Sequence, residues 1–345
     1  MTERRLTSGR RGRATLADVA AYAGVSPSTV SRVVRNATPV SAELEQAVHE
    51  AIAVTGYVPN LTARQLVTTR SDTVGMVIAE DQRRVFGEPF FGALMHGVVE
   101  TLTATRFHVV VVVARSAHDR VWLGHYVAGG HLDGVMLIAP PKGDPLAATL
   151  SRLGVPMVYA GRPFGVTDCT FVDIDNAGGA AQAVRHLYDI GRRRIAMVTG
   201  IPAMRSSTDR LRGYKKGLTS VGLAPNGDLV IASDYTEAGG FAATQQLLAQ
   251  GTPFDAVVAA SDLVAAGVLR ALKQAGRTVP GDVALIGFGD EGDAPARYDP
   301  PLTTVSQPTV EMGSQLARLT VNAIEGRDDR KSVIMPTQIV IRSSA

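Results

Sequence analysis

Ten short apolar runs mark the chain from residue 73 onward: TVGMVIA, HVVVVVA, GVMLIA, PMVYA, TFVDI, RIAMVTG, AVVAA, VALIGFG, VIMP and QIVIRS. They do not alternate apolar with polar residues, and helical stretches separate most of them. A strand that is apolar on both sides needs cover on both faces, so the pattern specifies parallel sheets sandwiched between helices. Two doubly wound lobes fit the chain after position 70. Sheets of this kind take small ligands at the carboxyl ends of their strands, in the crevice between lobes.

The first 70 residues differ in kind. They hold nine Arg, no Lys and five acids, a net charge of +4 against −1 for the remainder. A basic end on a near-neutral body fits a polyanion-binding head. Residues 1–13 read as a basic flexible arm, whereas 14–70 are strongly patterned. Apolar residues make up 45% of the 345, enough for a sizeable core. The longest strongly apolar run, Val109 to Ala114, is too short for a bilayer. The amino end is polar and Arg-rich, without the apolar stretch of a signal peptide. The single Cys169 excludes an internal disulfide and fits a reducing compartment. A cytoplasmic protein with no membrane partner is expected.

Three helices are expected in 14–58. Thr15 caps the first with Asp18 three residues on, and Leu16, Val19, Ala20 and Ala23 form its apolar face. Gly24 ends it. Ser26 caps the second helix and Pro27 opens it. There Val30, Val33 and Val34 make a buried stripe, with Ser28, Ser31, Arg32 and Arg35 opposite. Ser41 caps the third, with Leu44, Val48, Ala51 and Ile52 turned inward. Two helices joined by a tight turn, the second with an acid-free polar face, make a helix-turn-helix suited to a major groove. Pro59 then breaks the third helix and Asn60 caps a short one that would be marginal alone.

The stretch ATLADVAAYAGVSPSTVSRVVRN, followed by GYVPNLTARQL, resembles the DNA-binding head of the LacI/GalR family of bacterial transcription regulators. The resemblance implies that Pro27, Ser28 and Arg32 face bases, with Arg32 able to offer two donors to a guanine edge. Thr15, Ser26, Thr29 and Ser31 are expected as phosphate contacts and caps. Residues 59–70 become a hinge helix that orders on the operator. Its Ala63 and Leu66 match the family's minor-groove positions, Leu66 as a wedge, as a contact to its dimer mate, or as both.

The body resembles the periplasmic-binding-protein-like core of that family, of type I. PPLTTVSQP at 300–308 matches its crossover segment. The expected first lobe covers about 71–170 and 302–330, and the second about 171–301 and 331–345. Carried over one by one, Arg162, Asp175, Asn176, Arg210, Ser261, Asp262 and Asp290 are expected at the effector cleft. The lesser alternative for Arg162 and Arg210 is an ordinary surface ion pair. Three departures stand out: Gly161 and Gly289 where Asp is frequent, and Ser261 where Asn is. Each removes a hydrogen-bonding group, which suggests a bulkier or less hydroxylated effector, or an anion held by Arg162 and Arg210. The loop EDQRRVFGE, Glu80 to Glu88, is about five residues longer than the family's. With Phe90 and Phe91 it is expected to wall the cleft, unless both rings are core.

The residues GFGDEG at 287–292 spell a dinucleotide-type glycine pattern. Asp290, Glu291 and Asp293 would repel phosphate, and Pro295, Pro300 and Pro301 oppose the helix such a site needs. The seven histidines are scattered, and His125 and His131 lack a third partner at metal-ligand spacing. No nucleophile elbow is present. These absences argue against a nucleotide-using enzyme, and the head argues against a secreted solute-binding protein, although both share such a core. The sequence therefore predicts a non-enzymatic regulator without cofactor or metal, most simply a repressor. It would act as a homodimer or tetramer on a pseudo-palindromic duplex and answer to a small molecule such as a sugar.

Overall fold

The computed structural model describes residues 14–35, 40–58, 70–327 and 332–345. It separates into two units, with the division between Ser71 and Asp72.

The first unit holds three helices: α1 (Leu16–Ala23), α2 (Pro27–Arg35) and α3 (Ala42–Thr55). The Thr15 hydroxyl accepts the Asp18 N–H at 3.3 Å while the Asp18 carboxylate accepts the Thr15 N–H at 2.7 Å, a reciprocal cap. Gly24 ends α1 with φ 68°, a left-handed turn that a side chain would strain. Val19, Ala20, Val30, Val33, Val48 and Ala51 form the buried centre. Two expectations for α3 differ. Ser41 sits at the cap position without a side-chain cap hydrogen bond, and Glu43 and Glu45 meet the positive end of the helix instead. Leu44 is exposed because it stands one turn before the packed stretch of α3.

The second unit begins with β1 (Thr73–Ile78), α4 (Gln82–Gly87), α5 (Pro89–Thr103), β2 (His108–Val113) and α6 (Ala117–Ala128). It continues through β3 (Gly134–Ile138), α7 (Leu146–Arg152), β4 (Met157–Ala160) and β5 (Thr170–Ile174). The chain then crosses into α8 (Asn176–Asp189), β6 (Ile195–Thr199), α9 (Arg205–Ser220), β7 (Val230–Ala232) and α10 (Glu237–Ala249). Next come β8 (Ala256–Ala259), α11 (Asp262–Gln274), β9 (Ala284–Gly289), α12 (Ala294–Arg297) and β10 (Thr303–Ser306). Finally α13 (Thr309–Ile324) and β11 (Val333–Met335) rejoin the first lobe, and β12 (Gln338–Val340) the second.

The strands form two six-stranded sheets in the orders β11-β5-β4-β3-β1-β2 and β12-β10-β9-β8-β6-β7. Every pairing is parallel except β10 with β12. Central strands such as β3 and β9 are buried along their whole length, as unbroken apolar runs require. The ten runs did not include β7 and β10: VIA is very short, and TTVS carries three hydroxyl residues that the fold nonetheless buries or half-buries.

The lobe boundaries differ from the expected ones in three places. Strand β5 completes the first sheet, β10 belongs to the second, and β11 returns to the first. A strand must finish its ladder before the chain can leave a sheet, so the crossings fall after Ile174, Ser306 and Met335 rather than ahead of these strands. Asn176 and Gln307 consequently lie on the connections between lobes, where a ligand would meet them.

Candidate functional site

In the first unit, α2 buries Val30 and Val33 and leaves Pro27, Ser28 and Arg32 exposed on its opposite side. Its first turn contains no acid. The Ser26 hydroxyl accepts the Thr29 N–H at 3.2 Å and lies 2.7 Å from the Ser28 hydroxyl and 2.9 Å from that of Thr29. Three hydroxyls therefore gather at the positive end of a helix, an arrangement that favours phosphate oxygens. Ser31 is half-buried, and the Thr15 hydroxyl is engaged in its cap. Asn60, Ala63 and Leu66 lie outside the described residues.

In the second unit a cavity opens between the lobes, at the carboxyl ends of both sheets. Of the predicted cleft residues, Phe90, Phe91, Arg162, Asn176, Arg210, Ser261 and Asp262 line it. Arg210 on α9 is the most heavily constrained. Its Nε donates to Asn176 Oδ1 at 2.8 Å, its Nη1 to the Ala260 carbonyl, and its Nη2 to Gln307 Oε1 at 3.2 Å. Its guanidinium stacks 3.6 Å above the Phe288 ring. Asn176 in turn donates to Asp173 Oδ1 at 3.2 Å. The arginine is thus a pre-set fork, locked by residues of two of the three crossings. Arg162 follows β4 and reaches Asp209 of α9. Phe91 is buried and Phe90 half-buried, with the two rings edge-to-face, so both the wall and the core role apply.

Asp262 closes the opposite side. Its carboxylate accepts the Thr304 hydroxyl and the Asp290 N–H, each at 2.6 Å. Burial raises its pKa all the same. Burial also pushes Glu291 up, to about 7, against the hydrogen bonds it accepts from Gln307 and Thr309. These acids explain the glycine pattern that sequence analysis set aside as a nucleotide site. A Cβ on Gly287 would come within 2.2 Å of Asp262 Oδ1, and one on Gly289 within 2.3 Å of Glu291 Oε2. The glycines make room for carboxylates, and the helix that follows, α12, has only four residues.

Two predicted residues lie elsewhere. Asp175 is exposed, and its carboxylate accepts the Gly178 N–H at 2.7 Å as the cap of α8. At this strand end Asp173, Ile174 and Asn176 line the cleft and Asp175 turns away. Asp290 adopts φ 64°, which points its carboxylate to Arg342 at 2.7 Å. Its place is taken by the next residue, Glu291. The stretch Glu80 to Glu88 folds as helix α4 rather than as a loop, with Phe86 exposed.

Sequence reasoning missed Glu88, Asp173, Glu291 and Gln307, all of which line the cavity. They offset the polar groups lost at positions 161, 261 and 289. The only legible signal was the acid run after Gly289, read as a reason to reject phosphate and not as a site. The lining sets four guanidiniums (Arg84, Arg162, Arg205, Arg210) among four acids (Glu88, Asp173, Asp262, Glu291), a mixed polar surface rather than a purely cationic one.

Known proteins share both units. Residues 15–60 match the family described as bacterial regulatory proteins, lacI family, and residues 184–345 the periplasmic binding protein-like domain. The HTH-type transcriptional regulator CelR of Thermobifida fusca is 42% identical over 338 residues, 97% of this chain and 99% of that protein. The chain belongs to the LacI/GalR family. As a member it is a sequence-specific DNA-binding transcriptional regulator whose activity a small-molecule effector modulates. A solved structure of CelR in complex with cellobiose covers 96% of this chain and all of its own, with TM-score 0.78 and 40% identity. The lac repressor dimer bound to operator and the anti-inducer ONPF covers 96% of this chain and 99% of its own, with TM-score 0.86 and 27% identity. The LacI/GalR head is the unit with the acid-free α2, and the family's effector core is the unit with the cleft. Among the described residues no helix is long and apolar enough to cross a membrane, and no group of three or more His, Cys, Asp or Glu could hold a metal ion.

Proposed function

We propose that this LacI/GalR regulator is a repressor released from its operator by a β-linked gluco-oligosaccharide, the class to which cellobiose belongs. The mixed cleft, acids and guanidiniums beside aromatic rings, carries the reading. A pyranose has apolar C–H faces and a rim of hydroxyls, and the cavity combines the rings of Phe90, Phe91 and Tyr298 with the polar groups of Arg210, Asp262, Glu291 and Gln307. Arg210 donates to ring hydroxyls from a fixed fork, Asp262 and Glu291 accept from them, and Arg162 borders the opening. The 42% identity to CelR over nearly the whole chain supports the same class of sugar.

The DNA half of the proposal assigns base edges to Pro27, Ser28 and Arg32, and phosphates to Thr15, Ser26, Thr29 and Ser31. Residues 59–70 act as the hinge, with Asn60 as its cap and Ala63 and Leu66 at the minor groove. Two copies pair, most simply through the first sheet's edge strand β2, where Val110 and Val111 are exposed, and α5, where Val99 is. Two-fold symmetry then calls for a pseudo-palindromic operator. The sugar bonds both lobes at their crossings, and its leverage on DNA equals its difference in affinity for the two lobe arrangements.

The test is fluorescence anisotropy of a labelled operator, selected from genomic fragments, with cellobiose titrated into the complex. Loss of operator affinity with cellobiose, and none with an anionic sugar phosphate, is the expected result. Tighter binding would reverse the sign of regulation, and no response to any gluco-oligosaccharide would remove the effector class.

A further inference from the structure

The stretch EDQRRVFGE places one side chain across the cleft. Arg84 of α4 sets Nη1 2.6 Å from Glu80 and Nη2 2.9 Å from Glu88. Its guanidinium lies 5.0 Å from the centre of the Tyr235 ring, which belongs to the second lobe. The Tyr235 hydroxyl is itself shared with Ser207 at 2.7 Å and Ser206 at 3.1 Å. Arg84 is thus gripped at two edges and one face, and its side chain is only 11% exposed.

Behind it lies a second, more open chamber, bounded by Glu80, Arg115, Arg120, Pro141 and Thr236 among others. Arg84 and Met204 line both chambers, so the guanidinium forms part of the partition. Among the described residues the buried Nε atoms of Arg84 and of Arg120, on the outer chamber's wall, have no hydrogen-bond partner. Buried donors of this kind are ordinarily satisfied, by a ligand if not by protein or water.

We infer that Arg84 is the end wall of the effector cleft and sets the maximum length of the sugar it accepts. The inference rests on the gluco-oligosaccharide reading above and deepens it. A disaccharide ends against the guanidinium. A longer chain reaches the outer chamber only by pulling Arg84 from two carboxylates and a ring, which leaves buried charges unpaired. Separating such a partner corresponds to a loss of roughly a hundredfold or more in affinity.

Isothermal titration of the full chain with glucose, cellobiose, cellotriose and cellotetraose tests this in the wild type, Arg84→Ala and Arg84→Lys. The wild type should favour cellobiose over the longer sugars by roughly a hundredfold. Arg84→Ala should bring cellotriose and cellotetraose within about tenfold of cellobiose. Arg84→Lys keeps the charge against Glu80 and Glu88 but cannot span both, and should fall between. It carries the comparison if the alanine variant fails to fold. A wild type that takes all lengths equally, or a profile that neither variant shifts, overturns the length limit alone. Binding of no sugar in the series overturns both the effector class and the limit built on it.

Discussion

Arg162 Nη2 lies 3.2 Å from Asp209 Oδ2, and this bond joins the first lobe to the second across the cleft. The same carboxylate, 5% exposed, also receives Arg205 at 3.1 Å and Arg212 at 2.9 Å. One buried acid thus holds two cleft-lining arginines in place and fastens the lobes.

Removing that charge should loosen the lobes without emptying the core. Asp209→Asn is expected to cost about 1–3 kcal/mol, since hydrogen bonds to charged groups are worth that much and Arg162 and Arg212 keep partial access to water. Urea unfolding measures the loss. Small-angle scattering should show a more open effector core in the variant, and an unchanged profile would show that the bond does not hold the lobes.

The pH response of Glu291 follows from its burial. Its pKa rises from 4.5 to about 7 in the folded chain, so the folded state holds the proton more tightly than the unfolded one. The stability this provides is complete below pH 4.5 and is lost as pH climbs to about 7. The loss amounts to roughly 3 kcal/mol. Glu291→Gln should flatten this part of the stability curve between pH 4.5 and 7, read by urea midpoints at several pH values. A parallel curve for the variant would assign the dependence to other buried acids such as Asp262.

Gly287 tests the packing beneath the cleft. Alanine there would put its Cβ within 2.2 Å of Asp262 Oδ1 and 2.8 Å of Leu302 Cδ2. Asp262 is fixed by Thr304 and by the Asp290 N–H and cannot simply swing aside. Overpacking of this kind costs about 1–3 kcal/mol. Gly287→Ala should therefore lower Tm and weaken effector binding together. Normal effector affinity at reduced Tm would separate Asp262 from the ligand.

On the DNA side, Arg32 is exposed on the acid-free face of α2. Arg32→Ala should cost ~1–3 kcal/mol of operator affinity and relax preference at one base pair. A randomised-operator binding series checks this. An equal loss on every sequence would place Arg32 on phosphate alone.

Local chemistry was enough to read the three helices of the head and ten of the strands. Thr15 with Asp18, Gly24, and the Val30–Val33 stripe each act within a few residues, through caps, φ preference and helical period. Unbroken apolar runs announced the parallel strands for the same reason. Tertiary structure decided which lobe received β5, β10 and β11, because ladder pairing joins segments far apart in sequence. It also decided which acids face the cleft: a left-handed turn at Asp290 hands the position to Glu291, and the strand end beside Asp175 presents Asp173 and Asn176 instead. Whether a carboxylate reaches a cavity depends on one backbone torsion and on partners such as Thr304, 42 residues from Asp262, and Gln307, 16 from Glu291, and no short-range pattern encodes either.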